Sequence, residues 1–394
     1  MLSFEEASSI LRAAAQPVQR SECVEILDAL GRVLSESVSA GLDVPPADNS
    51  AMDGYAVRVA DIVPGNSLSV SQRIPAGSVP LPLLPGTAAR IFTGAQIPYG
   101  ADAIVMQERC VVDGEQVRFA LLPQAGENIR RAGEDIREGS LVLAAGTLLR
   151  SQELGLLASI GVAQLTVFKR LRVAVFFTGD ELRMPGEPLA TGQIYNSNRF
   201  VLRGLLSEMG CEIVDLGIVR DDLQATRQAL RQAAQDADLI ITCGGVSVGE
   251  EDHVKAAVEA EGALESWRVA IKPGRPLAFG RVGETPFVGL PGNPVSSFVT
   301  FQMLVRPYVR RMQGWPASPA VALPMRADFA WKKSTPVREF LRVRRNETGG
   351  LDLFPNQGSG VLTSCTWADG LVENPPETLI APGDTVRYLP FAGL

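Results

Sequence analysis

An α/β multidomain protein is what this sequence predicts, from three changes of texture along its 394 residues. That length supports two or more separately cored domains. Between Leu171 and Gln313, continuous apolar runs alternate with amphipathic stretches, the pattern of βαβ units around a parallel sheet. Before it, from Ile62 to Leu149, short alternating runs are punctuated by Gly and Pro, which is strand-and-turn chemistry. After it, past the linker-like "GWPASPAVALP", come short strands with Gly/Pro turns, the mark of a small all-β domain.

In chain order, Phe4, Ala7, Ile10 and Leu11, then Val24, Leu27, Leu30 and Leu34, recur at helical spacing over the first ~45 residues. Pro45 and Pro46 break that pattern. "DNSAMDGYAV" follows, with Asp48 and Asp53 around Met52 and Tyr55; it reads as too polar for a core strand. "SLSVSQRI", "AARIFTG", "ADAIVMQERCVV" and "EQVRFALL" are the strands of the β-rich part. "SQELGLLASIG" returns to helix, with Ser151 as its expected cap and a Glu at the right offset. In the α/β part, strands are expected over "LRVAVFFTGDEL", "CEIVDLGIV" and "DLIITCGG". Helices are expected over "NRFVLRGLLSEMG" and "DLQATRQALRQAAQDA", and from near Asp252. "PLAFGRV" and "TPFVGL" add strands, and a long helix closes near Gln313.

Composition narrows the function. No apolar run approaches the ~20 residues of a membrane span. The first residues lack the basic start and apolar block of a signal peptide, so a cytoplasmic protein is expected. Five scattered cysteines form no C-x-x-C pair, and there is one histidine, His253. A disulfide framework, a His-rich metal site and a Ser-His-Asp triad are therefore all disfavoured. Net charge of −7 speaks against a nucleic-acid surface, yet leaves room for a locally basic anion pocket.

Ligands of open parallel sheets bind outside the carboxyl ends of strands, and three loops there are polar. "FTGDEL" carries Glu181, "VRDDL" carries Asp221 and Asp222, and "CGGVSVGEED" carries Gly244, Gly245, Ser247, Gly249 and Asp252. Alone, the first reads equally as a turn, and the second as a helix cap. The third matches neither the Walker nor the G-x-G-x-x-G pattern. Its glycines, between a buried strand and a helix, still let backbone N–H groups approach an anion. Glycines and acids together make sense through Mg²⁺, which takes one or two carboxylates plus substrate phosphates. Lys272 and Arg275 flank a Pro-Gly turn in "AIKPGRPLAFG", a rigid presentation of two cations suited to an oxyanion. "GLPGNPVSSF" is a second rigid turn leading into a helix, with Pro291, Pro294 and Ser296. "REFLRVRR" predicts one cationic strand face bearing Arg338, Arg342 and Arg344, and "NQGSG" places Ser359 in a glycine turn.

Taken in order, "DVPPADNSAMDGYAV", "IFTGAQIP", "ENIRRAGEDI", "FFTGDEL", "GGVSVGEED", "AIKPGRPLAFG" and "GLPGNPVS" resemble the molybdopterin molybdenumtransferases, the MoeA and gephyrin E-domain family. The resemblance spans essentially the whole chain and is strongest between residues 43 and 300. It implies molybdenum insertion into adenylylated molybdopterin from molybdate, with release of AMP and a requirement for Mg²⁺. The implied fold has an α/β domain similar to the molybdopterin adenylyltransferases (169–314), an elongated helical domain (1–45 and 141–168), a β-rich insertion (46–140) and a C-terminal β-barrel (319–394). The implied assembly is a homodimer with its site between subunits. Implied partners are adenylylated molybdopterin, molybdate, the adenylyltransferase and downstream molybdoenzyme maturation proteins, with no nucleic acid and no membrane.

By motif, the resemblance makes Asp53, Asp135, Glu181, Asp221 and Asp252 the functional acids, joined by Thr93 and Arg130. Glu181, Asp221 and Asp252 are its metal candidates. Lys272, with Arg268 and Arg275, would face the pterin phosphate or molybdate. Pro276, Ser296, Arg342 and Ser359 would complete an oxyanion pocket. Arg268 and Arg275 stand where relatives often carry Lys, exchanging a compact ammonium for a planar fork. The competing enzyme reading, an adenylyltransferase, is disfavoured by "DNSAMDGYA" and the flanking domains. A scaffold reading is disfavoured by the lack of a long linker or fused second module.

Overall fold

The computed structural model describes residues 1–245, 253–316 and 321–393. Its centre is a six-stranded sheet in the order Glu212–Val219, Arg172–Thr178, Leu239–Cys243, Thr285–Leu290, Pro276–Val282, Gly262–Arg268. The first four strands are parallel and the last two antiparallel. Arg172–Thr178 and Leu239–Cys243 are buried almost throughout, which is why they read as unbroken apolar runs. Gly262–Arg268 was not foreseen; "GALESWR" alternates too weakly to announce a strand, and its pairing with Pro276–Val282 makes it one.

Helices cover both faces. Leu223–Asp236 and His253–Glu261 pack on one side, burying Leu230, Ala233, Val254 and Val258 against Ala174, Phe176 and Ile240. Ser197–Glu208 and the closing helix from Pro294 to Met312 pack on the other. That closing helix passes through a π-turn at Phe301–Val305. The N-terminal helix Phe4–Ala14 joins this second face, with Ala7 and Leu11 in the same core as Val299 and Val309.

The helical expectation fails beyond residue 14. Pro17 stops the helix, and Val24 lies in the strand Ser21–Glu25, paired antiparallel with Gln164–Phe168. Leu27 and Leu30 are exposed; their helical spacing faces no core. The helix Ser151–Ser159 forms, but Ser151 is not its cap. Arg150 occupies that position, and the Glu153 carboxylate accepts the Arg150 backbone N–H at 3.0 Å.

Between these segments, residues 49–130 carry a second six-stranded sheet, order Ala103–Met106, Gly54–Val57, Thr87–Ile91, Ser67–Ile74, Gln116–Phe119, Cys110–Asp113. The "DNSAMDGYAV" segment is more central than its polarity suggested. Gly54–Val57 is buried between two neighbours because its acids precede the strand and do not enter it.

The C-terminal strands Leu323–Ala327, Arg338–Arg345, Gly350–Leu353, Gly370–Asn374 and Thr385–Pro390 close into a barrel, with Ile271–Lys272 of the α/β part added at one strand. Arg338–Arg345 does not present a cationic face. Glu339 to Val343 are buried on both sides, Arg342 is 1% exposed, and Arg344 stacks 4.5 Å over the Trp367 ring.

Candidate functional site

Four parallel strands end side by side at Thr178, Val219, Cys243 and Leu290. The strand 172–178 lies between its two neighbours, so the three polar loops converge even though the strands do not pair in chain order. A cleft of about 730 Å³ opens there. Glu181, Asp221, Gly244 and Gly245 line it from the strand ends. Pro291, Pro294 and Ser296 line it from the turn and start of the closing helix, and Pro276 from the cationic turn. Ser247, Gly249 and Asp252 lie outside the described residues.

Local sequence explains these placements. Gly179 has φ +143°, and a Cβ there would collide with the Glu181 carboxylate, so only glycine lets Glu181 fold over its own turn. Asp222 caps the helix Leu223–Asp236, accepting the Ala225 N–H at 2.8 Å. The capping role therefore falls to Asp222 and the cleft position to Asp221. Cys243 lines the cleft too, but burial pushes its thiol up to about 12, so it is no nucleophile at neutral pH.

On the far side of the 272–276 turn lies a second cavity of about 330 Å³, lined by Lys272, Lys333, Arg342, Asn356, Gln357 and Gly358. Gly274 has φ +105°, and a Cβ would strike the Thr300 hydroxyl, so the turn seats tightly on the closing helix. Lys272 Nζ pairs with Glu339 at 2.9 Å, and Glu339 also accepts the Trp331 indole N–H at 2.6 Å. Arg342 donates to the Phe340 carbonyl at 2.8 Å and to Ser364 Oγ at 3.2 Å. Its remaining nitrogen, Nη2, is buried without a partner in the protein. Burial pushes the guanidinium down to about 10, still charged at neutral pH. A buried charge with an open donor is costly unless an acceptor, water or an anion, completes it. Ser359 bridges the two cavities: its carbonyl accepts the Val295 N–H at 3.0 Å, Gly358 lines the smaller cavity and Gly360 the larger.

Besides Ser359, six of the expected residues line neither cavity. Arg268 and Arg275 are exposed, their backbones tied to Leu2 and Val269. Their strand-end and turn-tip positions carry the guanidinium groups outward. Asp53, Thr93, Arg130 and Asp135 lie in or beside the β-rich segment. Asp53 accepts both the Thr93 N–H at 2.8 Å and its hydroxyl at 2.7 Å, which hold its carboxyl below the usual range. Arg130 is exposed on a short ladder with Asn49, and Asp135 is exposed with its N–H on the Val44 carbonyl.

Sequence reasoning missed the wall built by "YNSN". Asn196 is 2% exposed and caps the helix Ser197–Glu208, while Asn198 donates to the Gly292 carbonyl at 2.7 Å; both line the larger cleft. An Asn directly before a helical pattern is a cap signature that could have marked them.

Residues 2–161 match the MoeA N-terminal region (domain I and II), 174–311 the probable molybdopterin binding domain, and 324–391 the MoeA C-terminal region (domain IV). A molybdopterin molybdenumtransferase of Haemophilus influenzae is 44% identical over 317 residues, 80% of this chain and 78% of that one. The chain belongs to the molybdopterin molybdenumtransferase family. Another relative of that name, from Bacillus subtilis, is 34% identical over 384 residues, 93% of this chain and 87% of that one. The molybdopterin biosynthesis MoeA protein of Pyrococcus horikoshii superposes with a TM-score of 0.86 at 28% identity, covering 99% of this chain and all of that one. The molybdenumtransferase family thus accounts for all three textures of the sequence.

Proposed function

We propose that this chain inserts molybdenum, delivered as molybdate, into adenylylated molybdopterin and releases AMP. Family membership makes it a transferase of molybdenum cofactor biosynthesis; the adenylylated substrate and the roles below are our reading. The observation that carries the reading is Arg342. A fully buried guanidinium with one unpartnered donor, beside Lys272 in a cavity of about 330 Å³, suits a tetrahedral dianion. The 358–360 turn runs from that cavity to the larger cleft, which Ser296 and Pro276 line and where the nucleotide end of the substrate would lie along Gly244 and Gly245.

Mg²⁺ fits the larger cleft. Glu181 and Asp221 share it, and among the described residues no three His, Cys, Asp or Glu form an all-protein metal cage. Two carboxylates completed by substrate phosphates are the donor set Mg²⁺ prefers. When bound, the ion would neutralise charge developing on the phosphoanhydride as AMP departs. Glu181 and Asp221, with Asp252 by motif, would hold it; Lys272 and Arg342 would orient molybdate toward the dithiolene sulfurs. The substrate itself supplies the thiolates, so a chain with one His and scattered cysteines suffices.

Asp53, Thr93, Arg130 and Asp135 enter this scheme through a homodimer in which the β-rich segment of one protomer faces the cleft of its partner. No helix among the described residues is long and apolar enough to cross a membrane, and we place the reaction in the cytoplasm. Asp221→Asn and Asp252→Asn should each leave adenylylated molybdopterin bound but uncleaved, read as retained substrate against lost AMP. Unchanged AMP release in both variants would remove the metal-holding role.

A further inference from the structure

One wall of the larger cleft is apolar and remains unused by the scheme above. Ile194 and Tyr195 are 55% and 44% exposed, and with Leu182 they line the cleft next to Glu181 and Asn196. Exposed apolar groups beside a polar, anion-suited wall call for a ligand that has both characters. The wall is held in place. Leu182 and Arg183 pair with Ile194 and Tyr195, the Ile194 N–H reaches the Glu181 carbonyl at 2.9 Å, and the Asn196 N–H reaches the Arg183 carbonyl at 2.9 Å. The Tyr195 hydroxyl donates to the Glu187 carbonyl at 2.9 Å, which spends its polar end and leaves the ring to make contacts. Beside it, Asn196 is buried with its Nδ2 unpartnered, a donor at the edge of the same wall.

We propose that Tyr195 is the stacking platform for the adenine ring of the substrate, with Ile194 and Leu182 completing the surface. A planar base joined to a phosphate is the ligand that fits an aromatic side chain sharing a cleft with Gly244, Gly245 and the helix start at Pro294. The inference rests on the nucleotide reading of this cleft. Because the strap carrying Tyr195 is bonded directly to the Glu181 backbone, stacking would also hold the adenylyl phosphate near that carboxylate. Tyr195 is thus a positioning residue for the reaction, not an acid or base.

Binding of AMP and of ribose 5-phosphate to the full chain, measured by calorimetry for the native protein, Tyr195→Phe and Tyr195→Ala, tests this. Base–aromatic stacking predicts that the native protein prefers AMP by on the order of ten-fold. Tyr195→Phe should keep that preference. Tyr195→Ala should lose it while binding ribose 5-phosphate as before, which also shows that the variant is folded. Equal binding of AMP and ribose 5-phosphate by the native protein, or unchanged AMP binding by Tyr195→Ala, would overturn the platform and leave the nucleotide reading standing. Failure of AMP to bind the native protein at all would overturn both.

Discussion

At the residue scale, Arg342 and Glu339 show how burial makes a surface-like motif into a binding feature. Alternation in "REFLRVRR" suggested a cationic face, but closure of the barrel puts both sides of this strand indoors. Sequence periodicity cannot register that closure, because it depends on the distant strands Gly370–Asn374 and Thr385–Pro390 returning to pair. What was legible was the residue type: an Arg between a rigid cationic turn and a Ser-bearing glycine turn. Arg342→Lys keeps the charge but not the fork. Losing one hydrogen bond to a charged partner costs about 1.5–3 kcal/mol, so molybdate binding should weaken roughly ten- to hundred-fold by calorimetry, with near-native secondary structure by circular dichroism. Equal molybdate affinity in the two proteins would remove Arg342 from the oxyanion site.

At the scale of elements, most of the α/β part was readable because buried parallel strands and amphipathic helices leave strong, local signatures. Leu223–Asp236 and Glu212–Val219 fall where their patterns place them. Val24, Leu27 and Leu30 misled because apolar residues three apart can equally follow a strand and a 3₁₀ turn. The paired acids of "RDD" divide their labour, and stability measurements should separate them. Asp222→Ala removes a helix cap and should lower unfolding free energy in urea by about 1 kcal/mol; an unaltered midpoint would deny the cap. The clamp between Leu223–Asp236 and His253–Glu261 has a pH signature. Hydrogen bonds from Arg231, then Arg227, lower the Glu261 carboxyl from 4.5 to about 2. A depressed folded value gives stability that is complete above 4.5 and lost as pH falls toward 2. Native protein should therefore exceed Glu261→Gln in stability by a constant margin above pH 4.5, and the margin should close between 4.5 and 2. A margin that does not change with pH would show that the clamp is not ionic.

At the scale of the whole molecule, the chain's two ends are stitched to its middle. Arg338 of the barrel pairs with Glu5 of the first helix and with Glu373, Phe4 meets Phe340 edge-on at 5.5 Å, and Leu2 bridges Val269. One core joins Leu11, Val299, Phe340 and Leu389, and the strand pairing of Ile271–Lys272 with Arg338 and Glu339, together with the Lys272–Glu339 ion pair, holds Lys272 to the barrel strand that carries Arg342. This shared core was invisible to a reading that took the textures one at a time. Domain textures emerged from local pattern, whereas their docking depends on shape. Asp53, Thr93, Arg130 and Asp135, singled out by motif, lie outside both cavities. If the two cavities work as one site, oxyanion capture is coupled to nucleotide release. AMP release from adenylylated molybdopterin, followed with and without molybdate in the presence and absence of Mg²⁺, separates coupled from independent cavities. AMP should appear only when both molybdate and Mg²⁺ are supplied; release at the same rate without molybdate would show that the cavities act independently.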